Sequence, residues 1–335
     1  MTSLMLLGWA AVVVALARPA LTAPRLASLP RLTIGLWLGA ELSVTVAVLT
    51  AGLLVAVPPA ALAAGLAGII AACAQALASL GAPNGTLAVI ALLATTVLAA
   101  RLATSLAMTF AGARRWRRRH LAALMPLADT DAGDGWTLIE HATPVVYCLP
   151  GRPGQVVVTS AARDALTADE FAAVLRHERA HLRGRHHVLV ALAVAFHRAL
   201  PGLAMAGTAE AEIRRLVEHL ADDRASERHG RHAVATAIVQ LADRSPQHAL
   251  GAGTGAVDRV RRMLAPPVRP RALHRLVAAG ALGLLLAGPP TVAVASAGLT
   301  VHDATCSHSP SPADEPGATG VAAGAEPGAE TSSQE

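Results

Sequence analysis

The chain has 335 residues, 53% of them hydrophobic and only 15% charged, a balance that argues against an ordinary soluble enzyme and for membrane spans. Its net charge is +5 and every basic residue is arginine. These arginines gather beside apolar runs and are not interleaved with stacking aromatics beyond Trp116, so they read as flanks of membrane spans and no direct nucleic-acid partner is expected. Cys73, Cys148 and Cys306 lie far apart with no C-x-x-C, so neither a disulfide framework nor a cysteine zinc knuckle is supported.

Four apolar segments, about residues 3–17, 34–57, 87–111 and 276–297, approach or exceed the ~20 residues a bilayer requires. The first is short; a signal peptide is its rival reading, but a basic stretch ahead of the apolar run is missing. Arg18, Arg25 and Arg31 separate the first two spans. Arg114, Arg115, Arg117, Arg118 and Arg119 follow the third, and Arg259, Arg261, Arg262, Arg269, Arg271 and Arg275 precede the last. The positive-inside rule puts all three clusters in the cytoplasm. The expected order is an external N-terminus, an N-terminal membrane region over 1–111, a cytoplasmic domain over 112–275, a span over 276–297, and an external tail over 298–335.

The segment 58–80, "PPAALAAGLAGIIAACAQALASL", is apolar as well. A crossing there would carry "RRWRRR" outside, so the charge rule makes it an external interfacial or re-entrant helix, or core packing. Arg101 within the third span is expected to snorkel towards the arginine cluster, and Glu41 in the second to pair locally.

The stretch 136–160, "WTLIEHATPVVYCLPGRPGQVVVTS", alternates apolar runs around a Pro-Gly turn and predicts two or three short strands. "TADEFAAVLRHERAHLRGRHH" then has helical periodicity, with Thr167 as N-cap and Glu170 completing a capping box. Residues 188–206 are apolar, interrupted by His197, Arg198 and Pro201, and predict a helical hairpin, buried or dipping into the membrane. A helix over "TAEAEIRRLVEHLADDRASERHG" should end at Gly230, with another over 231–243. The tail is rich in Pro, Gly, Ala and Ser without arginine, and is expected to be disordered. The "ASA" at 295–297 has the form of a signal-peptidase site.

His177, Glu178 and His181 form H-E-x-x-H. On a helix, positions i and i+4 share a face, so two imidazoles there can hold one tetrahedral Zn²⁺. Glu178 points beside the metal, where it can take a proton from a water that the zinc polarises. Zinc held with one position left for water needs a third protein ligand, for which Glu218 in "RRLVEHLADDRAS" is the best candidate. Asp222, one turn further on, is placed to hydrogen-bond a ligand imidazole from behind. The plainer alternative is a solvated helix face on which Arg214 pairs with Glu218. His219 and Asp223 are substitutes for the third ligand, with Glu210 and Glu212 behind them. His186 and His187 extend the motif helix and either orient substrate or are merely solvated. His197 and His229 are candidates for oxyanion stabilisation. Tyr147, the only tyrosine, reads as a strand residue packing the core, ahead of a catalytic phenol.

Three stretches, "VVVTSAARDALTADEFAAVLRHERAHLRGRHH", "VEHLADDRA" and "RVRRMLAPP", resemble the BlaR/MecR-type membrane metallopeptidases, which are similar to the wider HtpX and CAAX-prenyl endopeptidase group. The resemblance covers about residues 140–268. It implies a mainly α membrane protein, its transmembrane helices joined to a small α+β zinc-peptidase domain. It also implies zinc ligands His177, His181 and Glu218, a catalytic Glu178, and Asp222 supporting a ligand. By the same resemblance, "QVVVTS" or "PVVYC" would pair with a peptide substrate. The penicillin-binding sensor domain of those receptors is not accommodated by the ~35 residues after the last span. The expected activity is endoproteolysis at the cytoplasmic face, with a transcriptional repressor as one candidate substrate. The alternatives are HtpX-like quality control of membrane proteins and a non-catalytic transducer with a structural metal site.

Overall fold

The computed structural model describes residues 1–124, 128–129, 135–151, 154–243, 252–267 and 271–306. Within Met1–Val294, one compact unit, helices α1 (Thr2–Leu21) and α2 (Pro30–Ala56) lie against each other. Two short helices follow, α3 (Pro59–Ala63) and α4 (Gly65–Ala78), and then the long α5 (Pro83–Leu124). The last helix, α11, runs Ala272–Cys306. Four of these, α1, α2, α5 and the stretch Ala272–Val294, are long and apolar enough to cross a membrane. At 14 residues α4 is ~21 Å long, too short to span the hydrocarbon. The expected tail falls partly on α11; from residue 307 onward it lies outside the described residues.

The buried face of α2 is a stripe at helical spacing: Ile34, Trp37, Ala40, Val44, Ala47 and Ala51. Its alanines let backbones approach closely, and they pack with Leu6 of α1 and with Met205, Ile213 and Leu216 further along the chain. Trp9 Nε1 donates to Ser43 Oγ at 2.9 Å across the α1–α2 seam. Two expectations about polar groups change. Glu41 is buried, yet among the described residues neither carboxylate oxygen has a hydrogen-bond partner. Arg101 does not reach the arginine cluster; its Nε donates to the Ala199 carbonyl at 3.1 Å, a group that the helix end there leaves free.

The sheet is formed by β1 (Ala128–Asp129), β2 (Trp136–Ile139), β3 (Val146–Leu149) and β4 (Gln155–Thr159), in the order β1-β2-β4-β3. β4 pairs parallel with β2 and antiparallel with β3, so both its edges are occupied. This corrects one expectation: "QVVVTS" is a central, buried strand and has no free edge for a peptide. Among the described residues the edges of the sheet are β1 and β3, and β3 carries "VYCL".

Thr167 caps α7 (Ala168–Arg183) through the expected capping box with Glu170. The helix buries Ala173 and Val174 against α9 and Leu175 against β4, and His177 and Ala180 are buried as well. Gly184 ends it, and Arg185, at φ 49° and ψ 38°, makes the left-handed turn into α8 (His186–Ala199). The α8–α9 hairpin takes the place of the expected apolar one. α9 (Ala204–Asp243) is broken at Gly230, whose φ of 77° and ψ of 159° are open only to glycine, where the sequence signalled a helix end. A helix not anticipated from sequence, α10 (Ala252–Leu264), packs on α9.

Candidate metal centre

α7 and α9 bring together the three residues expected to bind metal. His177 Nε2 and His181 Nε2 are 3.0 Å apart. Glu218 of α9 sets Oε2 3.5 Å from His177 Nε2 and Oε1 3.5 Å from His181 Nε2. One ligand atom from each lies within 4.8 Å of the others. The solvated-face alternative fails because Arg214 turns to Glu210, at 2.9 Å, and leaves Glu218 to the cluster.

The groups behind the imidazoles fix which nitrogens face inward. Asp222, fully buried, lies 2.9 Å from His177 Nδ1. A carboxylate there accepts the Nδ1 proton, leaving the Nε2 lone pair free for a metal. His186 Nδ1 sits 2.9 Å from His181 Nδ1 and so orients the second ring. Two convergent nitrogens and a carboxylate suit a divalent cation of the zinc type, so the residues present fit the metal that the motif implies.

Arg259, from α10, completes the cluster and was read from the sequence only as a membrane flank. It makes a two-point contact with Asp222, 2.8 Å from Nε and 2.7 Å from Nη2, while Nη1 lies 3.1 Å from Glu218 Oε2. Its neighbour Arg262 grips Asp223 in the same way, both bonds at 2.8 Å. Asp223 is thereby occupied and removed as a substitute ligand. Glu212 pairs with Arg215, and His219 is buried away from the three-residue cluster. His197 pairs with Glu210 at 2.8 Å and His229 with Asp169 at 3.0 Å, so neither joins the cluster as an oxyanion donor. Tyr147 is half-buried on β3, its hydroxyl 2.7 Å from His120 Nε2.

Burial opposes charge on every member, and the partners decide the outcome. It pulls His177 down, but the hydrogen bonds to Asp222 and Glu218 prevail and lift it to about 9. His181 drops to about 4, from burial and then the His177 charge. Burial raises Glu218, but His177 and Arg259 outweigh that and bring it to about 2. Asp222 is also held well below the usual carboxylate range, Arg259 and His177 overcoming its burial. Glu178, by contrast, is raised, chiefly by burial.

These shifts predict the proton linkage of metal binding. Without metal, His177 keeps its proton up to about 9, whereas His181 is already neutral above about 4. Binding at neutral pH must therefore release about one proton. Affinity should rise about tenfold per pH unit through that window and level off above it. Calorimetry in buffers of different ionisation enthalpy measures the released proton.

Glu178 faces Cys148 of β3, whose thiol hydrogen-bonds to it. Burial and then the Glu178 charge push that thiol up to about 12. The thiolate fraction at pH 8 is then on the order of 10⁻⁴, so maleimide should label Cys148 very slowly. Glu178→Ala should speed that labelling, as read by mass spectrometry of the modified peptide. A cavity of about 330 Å³ opens beside the cluster, lined by Cys148, His181, His187 and Glu218, with Leu182, Val190, Ala191 and Val217 as its apolar wall.

A paired-histidine helix and a carboxylate from a later helix, with an edge strand of the sheet beside them, fit the site of a metal-dependent peptidase. Residues 112–221 match Peptidase family M48. The matched region contains His177, Glu178, His181 and Glu218 and stops just short of Asp222. No curated protein and no solved structure matches the chain. The match, the metal-fitting cluster and the four long apolar helices support a membrane-anchored metallopeptidase.

Proposed function

We propose that the protein is a zinc endopeptidase of the BlaR/MecR type, anchored in the cell membrane with its catalytic domain at the cytoplasmic face. The observation that carries this is the convergence of His177, His181 and Glu218 beside Glu178, next to the edge strand β3. The sidedness rests on the arginine clusters that flank the apolar helices.

Metal at the His177–His181–Glu218 cluster would supply Lewis-acid activation of water and of the scissile carbonyl. A substrate segment adds as a strand to the β3 edge, whose backbone groups hold it extended. The apolar wall of Leu182, Val190, Ala191 and Val217 takes an apolar side chain next to the cleaved bond. Glu178, its pKa raised by burial, is a stronger base than an exposed carboxylate and accepts the water proton. As the water oxygen bonds to the carbonyl carbon and the C–N bond breaks, Glu178 returns that proton to the leaving nitrogen. Asp222 holds His177, and His186 holds His181, in the orientation the site requires.

Anchoring restricts substrates to proteins at or recruited to the membrane surface, and a cytoplasmic transcriptional repressor is the regulatory candidate. The test is metal content and hydrolysis of fluorogenic peptides by the purified full chain in detergent. His177→Ala and Glu218→Ala should each lose the metal and the activity together. Full hydrolysis without metal would refute the reading.

A further inference from the structure

A second cavity lies on the opposite side of α7's C-terminal half. Its volume is about 600 Å³, within the ~300–1,000 Å³ of small-ligand sites. Four arginines line one part of it, Arg31, Arg176, Arg183 and Arg224, and no carboxylate does so among the described residues. Arg224 pairs with Glu227 at 3.1 Å, and Arg176 donates to the Arg224 carbonyl at 2.7 Å. Arg31 and Arg183 are exposed, and among the described residues neither forms an ion pair with a carboxylate. The rest of the lining is apolar, with Ile34 and Leu38 from α2, Leu189 from α8 and Leu220 from α9.

The two kinds of lining are ordered along one helix. Arg31, Ile34, Gly35 and Leu38 follow one another on a single face of α2, starting at its first turn. α2 is a candidate membrane span, so Arg31 marks its entry and Leu38 lies two turns further in. The charged part of the cavity thus stands at the membrane boundary and the apolar part leads from it into the hydrocarbon. A free anion would satisfy the arginines and leave the apolar part in contact with nothing. An apolar peptide would leave the arginines uncompensated. A molecule with an anionic head and an alkyl body satisfies both, and basic pockets at span ends are the places where such heads bind.

We propose that this cavity binds one anionic phospholipid, its phosphate against Arg31, Arg176, Arg183 and Arg224 and an acyl chain between α2 and α8. His186 also lines the cavity, and its ring lies 2.9 Å from His181 Nδ1. The lipid therefore sits one side chain away from the metal cluster, although its binding does not depend on catalysis.

The test uses the purified full chain in a nonionic detergent, titrated with dioleoyl phosphatidylglycerol and, separately, dioleoyl phosphatidylcholine, and read by native mass spectrometry. Phosphatidylglycerol should bind at one site and phosphatidylcholine much more weakly. Each arginine near a lipid head contributes about fivefold to affinity, so the pair Arg31→Gln and Arg183→Gln should weaken binding about 25-fold. The control pair Arg114→Gln and Arg118→Gln, an equal loss of charge elsewhere, should change it less than twofold. If the first pair does not fold, Arg183→Gln alone, at an exposed helix end, should give the fivefold loss. Equal affinity for the two lipids, or equal loss in the test and control pairs, overturns the proposal. So does displacement of the lipid by submillimolar inorganic phosphate, which would make free phosphate the ligand.

Discussion

Glu178→Gln should keep the metal and lose about 10²–10⁴-fold in peptide hydrolysis, the range that a positioned proton-transfer group contributes. The substitution is nearly isosteric, and Glu178 is not among the three residues whose ligand atoms converge. What it removes is the carboxylate whose basicity burial has raised. The amide neither accepts the water proton nor returns one to the leaving nitrogen. Metal content by elemental analysis and hydrolysis of a fluorogenic peptide separate the possible results. Retained metal with lost hydrolysis assigns proton transfer to Glu178. Loss of both would make it a structural support of the site. Unchanged hydrolysis would take proton transfer away from Glu178, whereas no hydrolysis by the unsubstituted, metal-loaded chain would favour the non-catalytic transducer, in which the metal only holds α7 to α9.

The local parts of this site were legible because short-range rules govern them. Four residues on a helix bring His177 and His181 to one face whatever surrounds them, and the capping box of Thr167 and Glu170 fixed where that helix begins. Glu218 and Asp222 were legible because the same spacing, on a second helix, offers one group to the metal and one to the ring behind it. Arg259 was not. Its contacts with Asp222 and Glu218 depend on how α10 docks on α9, and no periodicity reports docking. In sequence it is one arginine among many before an apolar run, and the positive-inside rule gave it a sufficient explanation. The strand order was not legible for a related reason. "QVVVTS" and "PVVYC" are both β-rich, and which becomes the edge is decided by the parallel pairing of β2 with β4. That crossover is a long-range choice, and alternation within a strand says nothing about it. His186 was legible as a residue near the motif, but its role was not. The left-handed turn at Arg185 folds it back against His181, and arginine is not a residue whose presence announces that conformation.

The second large effect is expected at Arg259, and it follows from where the charges are buried. The Asp222 side chain has no exposed surface, and its two oxygens are held by His177 and by the two-point contact with Arg259. Replacing Arg259 with alanine removes the two-point contact and leaves that buried carboxylate with His177 as its one remaining partner among the described residues. Breaking one side of such a pair costs about 3–5 kcal/mol, because the remaining charge cannot be rehydrated. Asp222 then either takes up a proton or shifts, and in both cases it no longer fixes the His177 ring. Metal affinity should fall about 10–100-fold, the effect of losing a partner behind a ligand imidazole. Arg262→Ala supplies the comparison. It breaks a contact of the same shape on the same helix, but Asp223 is 35% exposed and water can replace the guanidinium. Its expected cost is only about 1 kcal/mol, with metal affinity unchanged. Thermal unfolding in detergent and competition with a chelator measure the two quantities for both variants. If both substitutions cost the same and affect metal binding alike, the docking of α10 as a whole supports the site. If Arg259→Ala alone weakens the metal, the support runs through a single buried carboxylate, and the cluster extends one helix beyond the motif that announces it.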